Sequence, residues 1–229
     1  MKNGAVVLLS GGLDSTVNLY AAVKESNVRM AITFDYGQKA AAKEIAVSEN
    51  LAALCGVPHT VIDLPWFKSL GASALNQSGS SIPKISSTSL DNTDITSRSA
   101  KAVWVPNRNG LFLNIAACYA ESLMAEYIVP GFNREEAVTF PDNSLDFIRA
   151  MRKSFSYSTA NHVDVQCYTI TMSKVEIVEL GKKLGVPFEK IWPCYHDHDR
   201  WCGECESCQR AKRAFRSSKI NLSSHFERY

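Results

Sequence analysis

Short apolar runs alternate with segments of helical periodicity, and this alternation constrains the fold more than any other feature. Residues 4–9, 29–36 and 59–64 are predicted strands, and residues 15–25 and 39–56 between them are predicted helices. Strands and helices in strict succession are typical of a parallel sheet with right-handed crossovers. The sequence therefore predicts an α/β fold with a doubly wound, Rossmann-like parallel sheet.

An interruption follows the third strand. Residues 69–99 are rich in Ser, Thr, Asn and Gly, which is typical of a flexible lid or an inserted segment. Further strands are predicted at 102–105, 127–132 and 165–171. Further helices are predicted at 109–126, 144–157, 173–185 and 205–217. We expect one α/β domain over residues 1–190 and a helical tail over residues 191–229.

Composition excludes several classes of protein. The chain has 229 residues with 25 basic and 23 acidic side chains, so its formal net charge of +2 gives no global field for nucleic acid. No apolar run has the length of a membrane span, and the amino terminus lacks the pattern of a signal peptide. A cytoplasmic protein without membrane contact is the expectation.

A glycine-rich turn, SGGLDST at residues 10–16, follows the first predicted strand. Ligands of parallel sheets bind beyond the carboxyl ends of the strands, where a helix amino terminus offers N–H groups to an anion. The glycines permit close approach of a phosphate, Ser10, Ser15 and Thr16 add hydroxyl donors, and Asp14 suits Mg²⁺. A pyrophosphate loop is predicted, with an ordinary serine-capped turn as the alternative.

Four of the seven cysteines crowd into one short segment with the spacing C-x7-C-x2-C-x2-C. They are Cys194, Cys202, Cys205 and Cys208. Four thiolates at such spacing suit a closed structural zinc site, which makes the tail a zinc-binding module. An iron–sulfur cluster and a redox pair are the chemical alternatives, and His196 or His198 could replace one cysteine.

The glycine turn is similar to the Ser-Gly-Gly-x-Asp-Ser loop of the ATP-pyrophosphatase superfamily. The resemblance implies a fold of the adenine nucleotide α-hydrolase type and cleavage of ATP between its α- and β-phosphates. A substrate oxygen is then adenylated, pyrophosphate leaves, and a nucleophile displaces AMP. The resemblance implies these ATP-binding residues: Leu8, Leu9, Ser10, Gly11, Gly12, Leu13, Asp14, Ser15, Thr16, Asp35, Tyr36, Gln38, Arg108, Asn109 and Lys174.

Other segments resemble one branch of that superfamily, the 7-cyano-7-deazaguanine synthases. VPNRN at 105–109 resembles their Val-Pro-x-Arg-Asn segment, and SKVEIV at 173–178 resembles Thr-Lys-x-Glu-Ile-Val. The cysteine spacing is also similar, so the resemblance covers nearly the whole chain. It implies these catalytic residues: Asp14, Ser15, Arg108 and Lys174. Without the resemblance, either cation could be an ordinary surface side chain.

The resemblance implies a ligase that forms a C–N bond. In that family the carboxylate of 7-carboxy-7-deazaguanine is adenylated and ammonia gives an amide. A second ATP activates the amide oxygen, and loss of AMP leaves the nitrile used in queuosine-type nucleoside biosynthesis. ATP, Mg²⁺ and Zn²⁺ are the implied cofactors, and a homodimer without stable nucleic-acid binding is the implied assembly.

One segment departs from the family pattern. Residues 131–147, GFNREEAVTFPDNSLDF, stand where the family carries Gly-x-Asn-x-x-Asp-x-Ser-Gly-Tyr-Pro-Asp-Cys-Arg. Asn143 and Ser144 replace the Cys-Arg pair. The candidate substrate-binding residues here are Gly131, Asn133, Phe140 and Asp142. Phe140 could stack on the base, and Asp142 could accept hydrogen bonds from a guanine N1–H and amine, or else belong only to a helix start.

This departure leaves other functions open. A deazapurine ligase could stop at the amide or could use another amine as acceptor, including an amine on a protein. A tRNA-modifying enzyme is the third hypothesis, with the zinc module as a docking element. It requires a basic groove and a cysteine near the ATP. The nearly balanced charge and the absence of a second Cys-x2-Cys pair upstream disfavour that hypothesis.

Overall fold

Five parallel strands form the central sheet of the computed structural model, which describes residues 3–70, 73–77 and 79–229. They are β1 (Gly4–Leu8), β2 (Asn27–Asp35), β3 (His59–Asp63), β4 (Tyr127–Val129) and β5 (Asp164–Val165). Their order across the sheet is β3-β2-β1-β4-β5, and every neighbouring pair is parallel. The order reverses between β1 and β4, so the predicted doubly wound sheet is confirmed.

Eight α-helices connect and cover the strands within the described residues. They are α1 (Leu13–Glu25), α2 (Ala41–Leu54), α3 (Thr93–Val103), α4 (Arg108–Ser122), α5 (Arg134–Ala137), α6 (Leu145–Ser158), α7 (Lys174–Leu184) and α8 (Glu206–Ser217). Short 3-10 helices occupy Pro65–Leu70, Ser87–Ser89, Pro141–Asn143, Phe188–Lys190 and Ser223–His225. None of the helices in these ranges combines the length and apolar character needed to cross a membrane.

The centre of the sheet is buried on both faces, because β1, β4 and the second half of β2 consist mainly of apolar residues. Val6, Val7, Ile32 and Ile128 are 0% exposed, and each such side chain contributes about 1.5–3 kcal/mol to folding. Helix α1 packs on α7, and α7 packs on α8, which attaches the tail to the sheet domain. The parallel arrangement therefore directs the carboxyl ends of β1, β2 and β4 to one edge, where the loops that follow them meet.

Helix α7 follows its sequence signals closely. Ser173 accepts a hydrogen bond from the Glu176 N–H, and the Glu176 carboxylate accepts one from the Ser173 N–H, so the two form a capping box. Gly185 ends the helix at φ 74°, a left-handed conformation that favours glycine. The predicted helix over residues 173–185 is therefore confirmed, and its cap fixes where Lys174 begins the first turn.

The predicted strand over residues 102–105 is wrong. Helix α3 continues to Val103, and Asn92 caps its start by accepting hydrogen bonds from two backbone N–H groups. The buried residues of α3 have the spacing i, i+3, i+4, i+7 of a helix face, but two of them are Thr and Ser. They are Thr96, Ser99, Ala100 and Val103. Because half of this buried face is polar, the sequence showed no apolar helical periodicity here. Only the apolar residues at the end of the helix formed a recognisable pattern, and that pattern predicted a strand.

The strand predicted over residues 165–171 is shorter than expected. Strand β5 comprises only Asp164–Val165. The buried side chain of Asn18, on α1, forms hydrogen bonds with polar groups of the residues after β5. It accepts the Tyr168 N–H at 2.9 Å and donates to the Thr169 hydroxyl at 2.6 Å. A side chain from a helix thus replaces the strand partner that a longer β5 would need.

Described residues of the segment over 69–99, which lies between β3 and α4, pack on the tail. Among its described residues, Leu75, Ile82 and Leu90 are buried. The Ile85 N–H donates to the Glu204 carbonyl at 2.9 Å, and further contacts join this segment to α8. The boundary expected at residue 190 stays a prediction, since the insertion joins regions on both sides of it.

Gly131→Ala is expected to lower the free energy of unfolding, toward the upper end of about 1–3 kcal/mol. A Cβ at Gly131 would lie 2.6 Å from the Ser15 nitrogen and 2.7 Å from its Cα, and neither backbone atom can swing aside. Urea unfolding measures the change. Gly12→Ala is the control, because its Cβ would come no closer than 3.5 Å to a neighbouring side chain. An equal loss in both variants would contradict this account of Gly131.

Candidate active site

A cavity of about 230 Å³ lies beyond the carboxyl ends of β1, β2 and β4. Its walls include Leu9 after β1, Phe34 on β2 and Gly131 after β4. The position next to the reversal of strand order is where ligands of open parallel sheets bind. Further parts of the walls come from the helices around this edge and from the segment Trp192–Tyr195 that leads into the cysteine cluster.

Most of the residues predicted from the sequence meet in this cavity. They are Leu8, Leu9, Ser10, Gly12, Leu13, Asp14, Ser15, Tyr36, Gln38, Arg108, Asn109, Gly131, Phe140, Asp142 and Lys174. Gly11, Thr16, Asp35 and Asn133 do not line the cavity themselves. Some of them support its walls: the Thr16 hydroxyl donates to the Gly12 carbonyl at 2.7 Å. The Asn133 side chain accepts the Glu136 N–H at 3.0 Å.

The glycine turn presents the start of α1 to the cavity. Gly11 has φ 72°, and a Cβ there would lie 2.8 Å from the Val47 side chain, so both conformation and space favour glycine. Gly12 is the N-cap residue and brings no side chain to cap the helix. The Ser10 N–H donates to the Ser15 hydroxyl at 3.2 Å, which fixes the loop. The first N–H groups of α1 are therefore available to an anion.

A buried ion-pair cluster stands beside this loop. The Lys174 ammonium pairs with Asp14 and, at 2.7 Å, with Glu136. Burial raises the pKa of Asp14 to about 6, although Lys174 opposes the shift. Burial disfavours the charge on Lys174, but the two carboxylates prevail and raise its pKa. Asp14 Oδ1 is buried without a hydrogen-bond partner among the described residues. It is therefore suited to contact a cation that binds together with a ligand.

Arg108 supplies a second fixed cation on the opposite wall. Helix α4 begins at this residue, after Asn107 in a left-handed conformation with φ 50°. The guanidinium donates to the Tyr36 hydroxyl and to the Asn109 carboxamide, both at 3.3 Å. Burial opposes its charge, yet Tyr36 and Asp142 raise the pKa of Arg108 overall. The side chain is therefore held in place as a permanent positive charge facing the cavity.

An aromatic pair and a carboxylate form the outer part of the cavity. The rings of Trp104 and Phe140 lie nearly parallel, with an angle of 8° and centroids 6.2 Å apart. Asp142 follows, and its side chain accepts a hydrogen bond from the Asn143 carboxamide at 3.3 Å. Burial raises the pKa of Asp142 while Arg108 opposes the shift. A flat heteroaromatic ring with N–H donors on its edge fits such a set.

The cavity residues that sequence reasoning missed include Glu44, Trp104, Glu136, Trp192 and Tyr195. Two of them directly flank recognised motifs, since Trp104 precedes VPNRN and Tyr195 follows the first cysteine of the cluster. Glu44 accepts a hydrogen bond from Gln38 at 2.9 Å, and burial raises the pKa of Glu44 to about 7. Nothing in the local sequence pattern distinguished Glu44 or Glu136 from surface acids.

The four cysteines of the tail come together. The sulfur atoms of Cys194, Cys202, Cys205 and Cys208 lie within 4.8 Å of one another, and all four residues are buried. Backbone N–H groups donate to three of the sulfurs at 3.3–3.5 Å, which favours thiolates. His196 and His198 do not belong to the group; His198 lies 3.1 Å from Glu227 instead. The set suits a metal ion that prefers tetrahedral sulfur ligands.

The tail is joined to the cavity by polar contacts. The Trp192 N–H donates to the Gly11 carbonyl at 2.7 Å, so the segment before the cysteines is bonded to the glycine turn. Arg210 on α8 pairs with Glu135 at 2.9 Å, and Glu135 also accepts the Lys174 N–H at 2.7 Å. The cysteine cluster and the ion-pair cluster are therefore parts of one continuous framework around the cavity.

Comparison with known proteins places this framework in a family. A family model described as "Queuosine biosynthesis protein QueC" matches residues 4–219. A 7-cyano-7-deazaguanine synthase of Bdellovibrio bacteriovorus is 54% identical over 97% of this chain and 96% of that protein. One from Desulforamulus reducens is 51% identical over 97% of each.

A likeness in fold is also found. NMN synthetase from Francisella tularensis has a TM-score of 0.50 and 18% identity, over 98% of this chain and 80% of that chain. The glycine turn, the VPNRN segment and the cysteine spacing had indicated the same relationship as the family model and the two relatives. Since those matches extend over nearly the entire sequence, the chain belongs to the QueC family of 7-cyano-7-deazaguanine synthases.

Proposed function

We propose that this chain is a 7-cyano-7-deazaguanine synthase, which uses ATP and ammonia to convert the carboxylate of 7-carboxy-7-deazaguanine into a nitrile. One observation carries the proposal. The cavity holds an unpartnered oxygen of Asp14 and the Lys174 ammonium beside an uncapped helix start, and the aromatic pair with Asp142 at its outer part. Phosphates and a flat N–H-bearing ring thus each have complementary groups in one space.

The chemistry requires removal of two oxygens from one carbon. Each oxygen leaves as part of AMP, because a carboxylate or amide oxygen is a poor leaving group and AMP is a good one. Two ATP molecules are therefore consumed for each nitrile, with release of two pyrophosphates. The residues of the cavity have to place the reactants and stabilise charge, and they need no nucleophilic side chain.

The phosphate end is formed by the glycine turn, Asp14 and Lys174. Ser10, Ser15 and the first N–H groups of α1 would bind the pyrophosphate part of ATP. The unpartnered Asp14 oxygen would hold Mg²⁺, which supplies positive charge to the leaving pyrophosphate when bound. Lys174 keeps its proton because two carboxylates surround it, so it remains a cation for phosphate oxygens.

The deazapurine end is formed by the aromatic pair, Arg108 and Asp142. A base would stack on Phe140 or Trp104, and the Asp142 carboxylate would accept the N1–H and amine hydrogens. Asn143 stands where the family pattern carries cysteine, and it donates to the Asp142 carboxylate. Ser144 stands where arginine is expected and caps α6 by accepting the Phe147 N–H at 3.1 Å. Both replacements thus support the position of Asp142.

The cysteine cluster would hold a structural Zn²⁺, since four thiolates leave no position for a substrate. The bound ion would close the tail against the sheet domain. Assembly into a homodimer and a cytoplasmic location, both expected from the sequence, stay predictions.

Incubation with ATP, Mg²⁺, 7-carboxy-7-deazaguanine and ammonia is expected to give the nitrile and two AMP per nitrile, measured by mass spectrometry. Asp14→Asn keeps the shape of the side chain but removes its charge, so AMP formation should fall about 100-fold or more. A final product at the amide, or a conjugate with another amine, would contradict the nitrile synthase. Near wild-type AMP formation by the variant would contradict the role of Asp14.

The effect of Asp14→Asn on folding can be measured separately from its effect on activity. Because burial raises the pKa of Asp14 from 3.8 to about 6, its ionised form is disfavoured in the folded, ligand-free protein. This destabilisation is complete above pH 6 and disappears as the pH falls toward 3.8. At pH 7.5 we expect Asp14→Asn to exceed the wild type in unfolding free energy by about 1–3 kcal/mol, and by about half as much at pH 5. Urea unfolding at both pH values measures the difference.

Metal analysis is expected to find about one zinc per chain. Replacement of both Cys205 and Cys208 by serine should release it and lower the melting temperature, because the closed site joins the tail to the body. Cys118→Ser is the matched control, since this cysteine is exposed and lies outside the cluster. Iron in the purified protein, with absorbance in the visible range, would contradict the zinc assignment.

Asp142→Ala is expected to weaken binding of 7-carboxy-7-deazaguanine about 10- to 100-fold, because two N–H donors lose a charged acceptor. ATP binding should not change. Titration calorimetry with each ligand measures both affinities. Asp146→Ala is the control, because its side chain is 87% exposed and pairs with Arg149 on the surface of α6. Equal effects of the two substitutions on deazapurine affinity would contradict recognition of the base by Asp142.

A further inference from the structure

The side chain of Tyr195 is a cavity group that the proposed function has not used. Tyr195 directly follows Cys194 in the chain and lines the cavity, where it is half-buried. Its hydroxyl makes no hydrogen bond with the residues that the structure describes. The phenol lines the same cavity as Arg108 and Glu136, and Glu206 and Cys205 are also within electrostatic range. It is therefore a donor on the cavity wall, with its hydrogen bond left for a ligand.

The backbone on both sides of Tyr195 is fixed. Before it, the Trp192 N–H is bonded to the Gly11 carbonyl at 2.7 Å. After it, the His196 N–H donates to the Cys194 sulfur at 3.4 Å, and the His196 carbonyl accepts the Trp192 indole N–H at 3.0 Å. The phenol is thus preorganised by the glycine turn and the cysteine cluster together, and reorganisation on ligand binding is small.

Tyr195 lines the same cavity as the groups of both proposed substrate ends. Arg108 belongs to the wall that carries Asp142, and Glu136 belongs to the ion-pair cluster beside the glycine turn. A deazapurine at the first and ATP at the second would bring the carboxyl carbon and the α-phosphorus together between them. Ser207 and Ala211 of α8 line the same cavity, and their small side chains leave room for these groups.

We propose that the Tyr195 hydroxyl donates a hydrogen bond to the carbonyl oxygen of the adenylated deazapurine. The inference rests on the proposed function. When ammonia attacks the acyl carbon, the electron pair of the C=O bond moves onto that oxygen. The electron pair then re-forms the C=O bond as the bond to AMP breaks. The attacking nitrogen, which became positively charged, loses a proton to solvent. Tyr195 keeps its proton throughout, so it stabilises the oxygen without acting as an acid.

Tyr195→Phe tests the proposal, because it removes the hydroxyl and keeps the ring. Nitrile formation should fall about 10- to 100-fold in kcat, as for loss of one donor to a developing oxyanion. The KM for ATP and the metal content should stay within about twofold of the wild type, since the ring and backbone contacts remain. Deazapurine-dependent exchange of pyrophosphate into ATP reports adenylation alone, and it should fall much less than nitrile formation.

Tyr168→Phe is the matched control, since it also removes the hydroxyl of a tyrosine, but Tyr168 lies outside the cavity. It should leave all these rates unchanged. Unchanged nitrile formation in Tyr195→Phe would overturn the inference. Equal losses in exchange and in nitrile formation would also overturn it, because they would indicate a merely structural role. A wild-type protein that forms no nitrile would instead overturn the proposed function itself.

Discussion

The ion-pair cluster of Lys174 with Asp14 and Glu136 is the interaction on which the rest of the site depends. It joins α1, α5 and α7 at the point where their ends meet behind the glycine turn. One ammonium faces two carboxylates in a buried place, so the cluster has a net negative charge before any ligand binds. Such clusters contribute little net stability, but removal of Lys174 would leave two buried carboxylates without their cation. Their value here is geometric, because the pairing directs the lysine toward the cavity.

The short helix α5 connects this cluster to the tail. Its two adjacent acids point to different partners: Glu136 to the Lys174 ammonium, and Glu135 to Arg210 and Arg213 on α8. The Lys174 N–H also donates to Glu135, so both acids contact the same residue of α7. Burial opposes the charge of Glu135, yet these partners lower its pKa and keep it ionised. The four residues of α5 thereby connect the tail to the phosphate end of the cavity through ion pairs and hydrogen bonds.

The features that the sequence predicted are those set by local pattern. The order of strands and helices, the glycine turn, the helix cap at Ser173 and the spacing of the cysteines are all visible within short windows. Helix α3 was missed because its buried face contains Thr96 and Ser99, which have no apolar signature. Glu44 and Glu136 were missed for another reason. Their place in the cavity results from packing between segments far apart in the chain, and a single sequence without homologues contains no signal for such contacts.

The hydrogen bond between Trp192 and Gly11 has a consequence for synthesis of the protein. Gly11 and Trp192 lie far apart in the chain, so the glycine turn is translated well before its hydrogen-bond partner. Long-range contacts of this kind form late, because the loop between them must close first. A nascent chain can therefore build most of its sheet before the phosphate end acquires its final shape. Competence to cleave ATP would then arise only once the tail has docked, so incomplete chains would not consume the nucleotide.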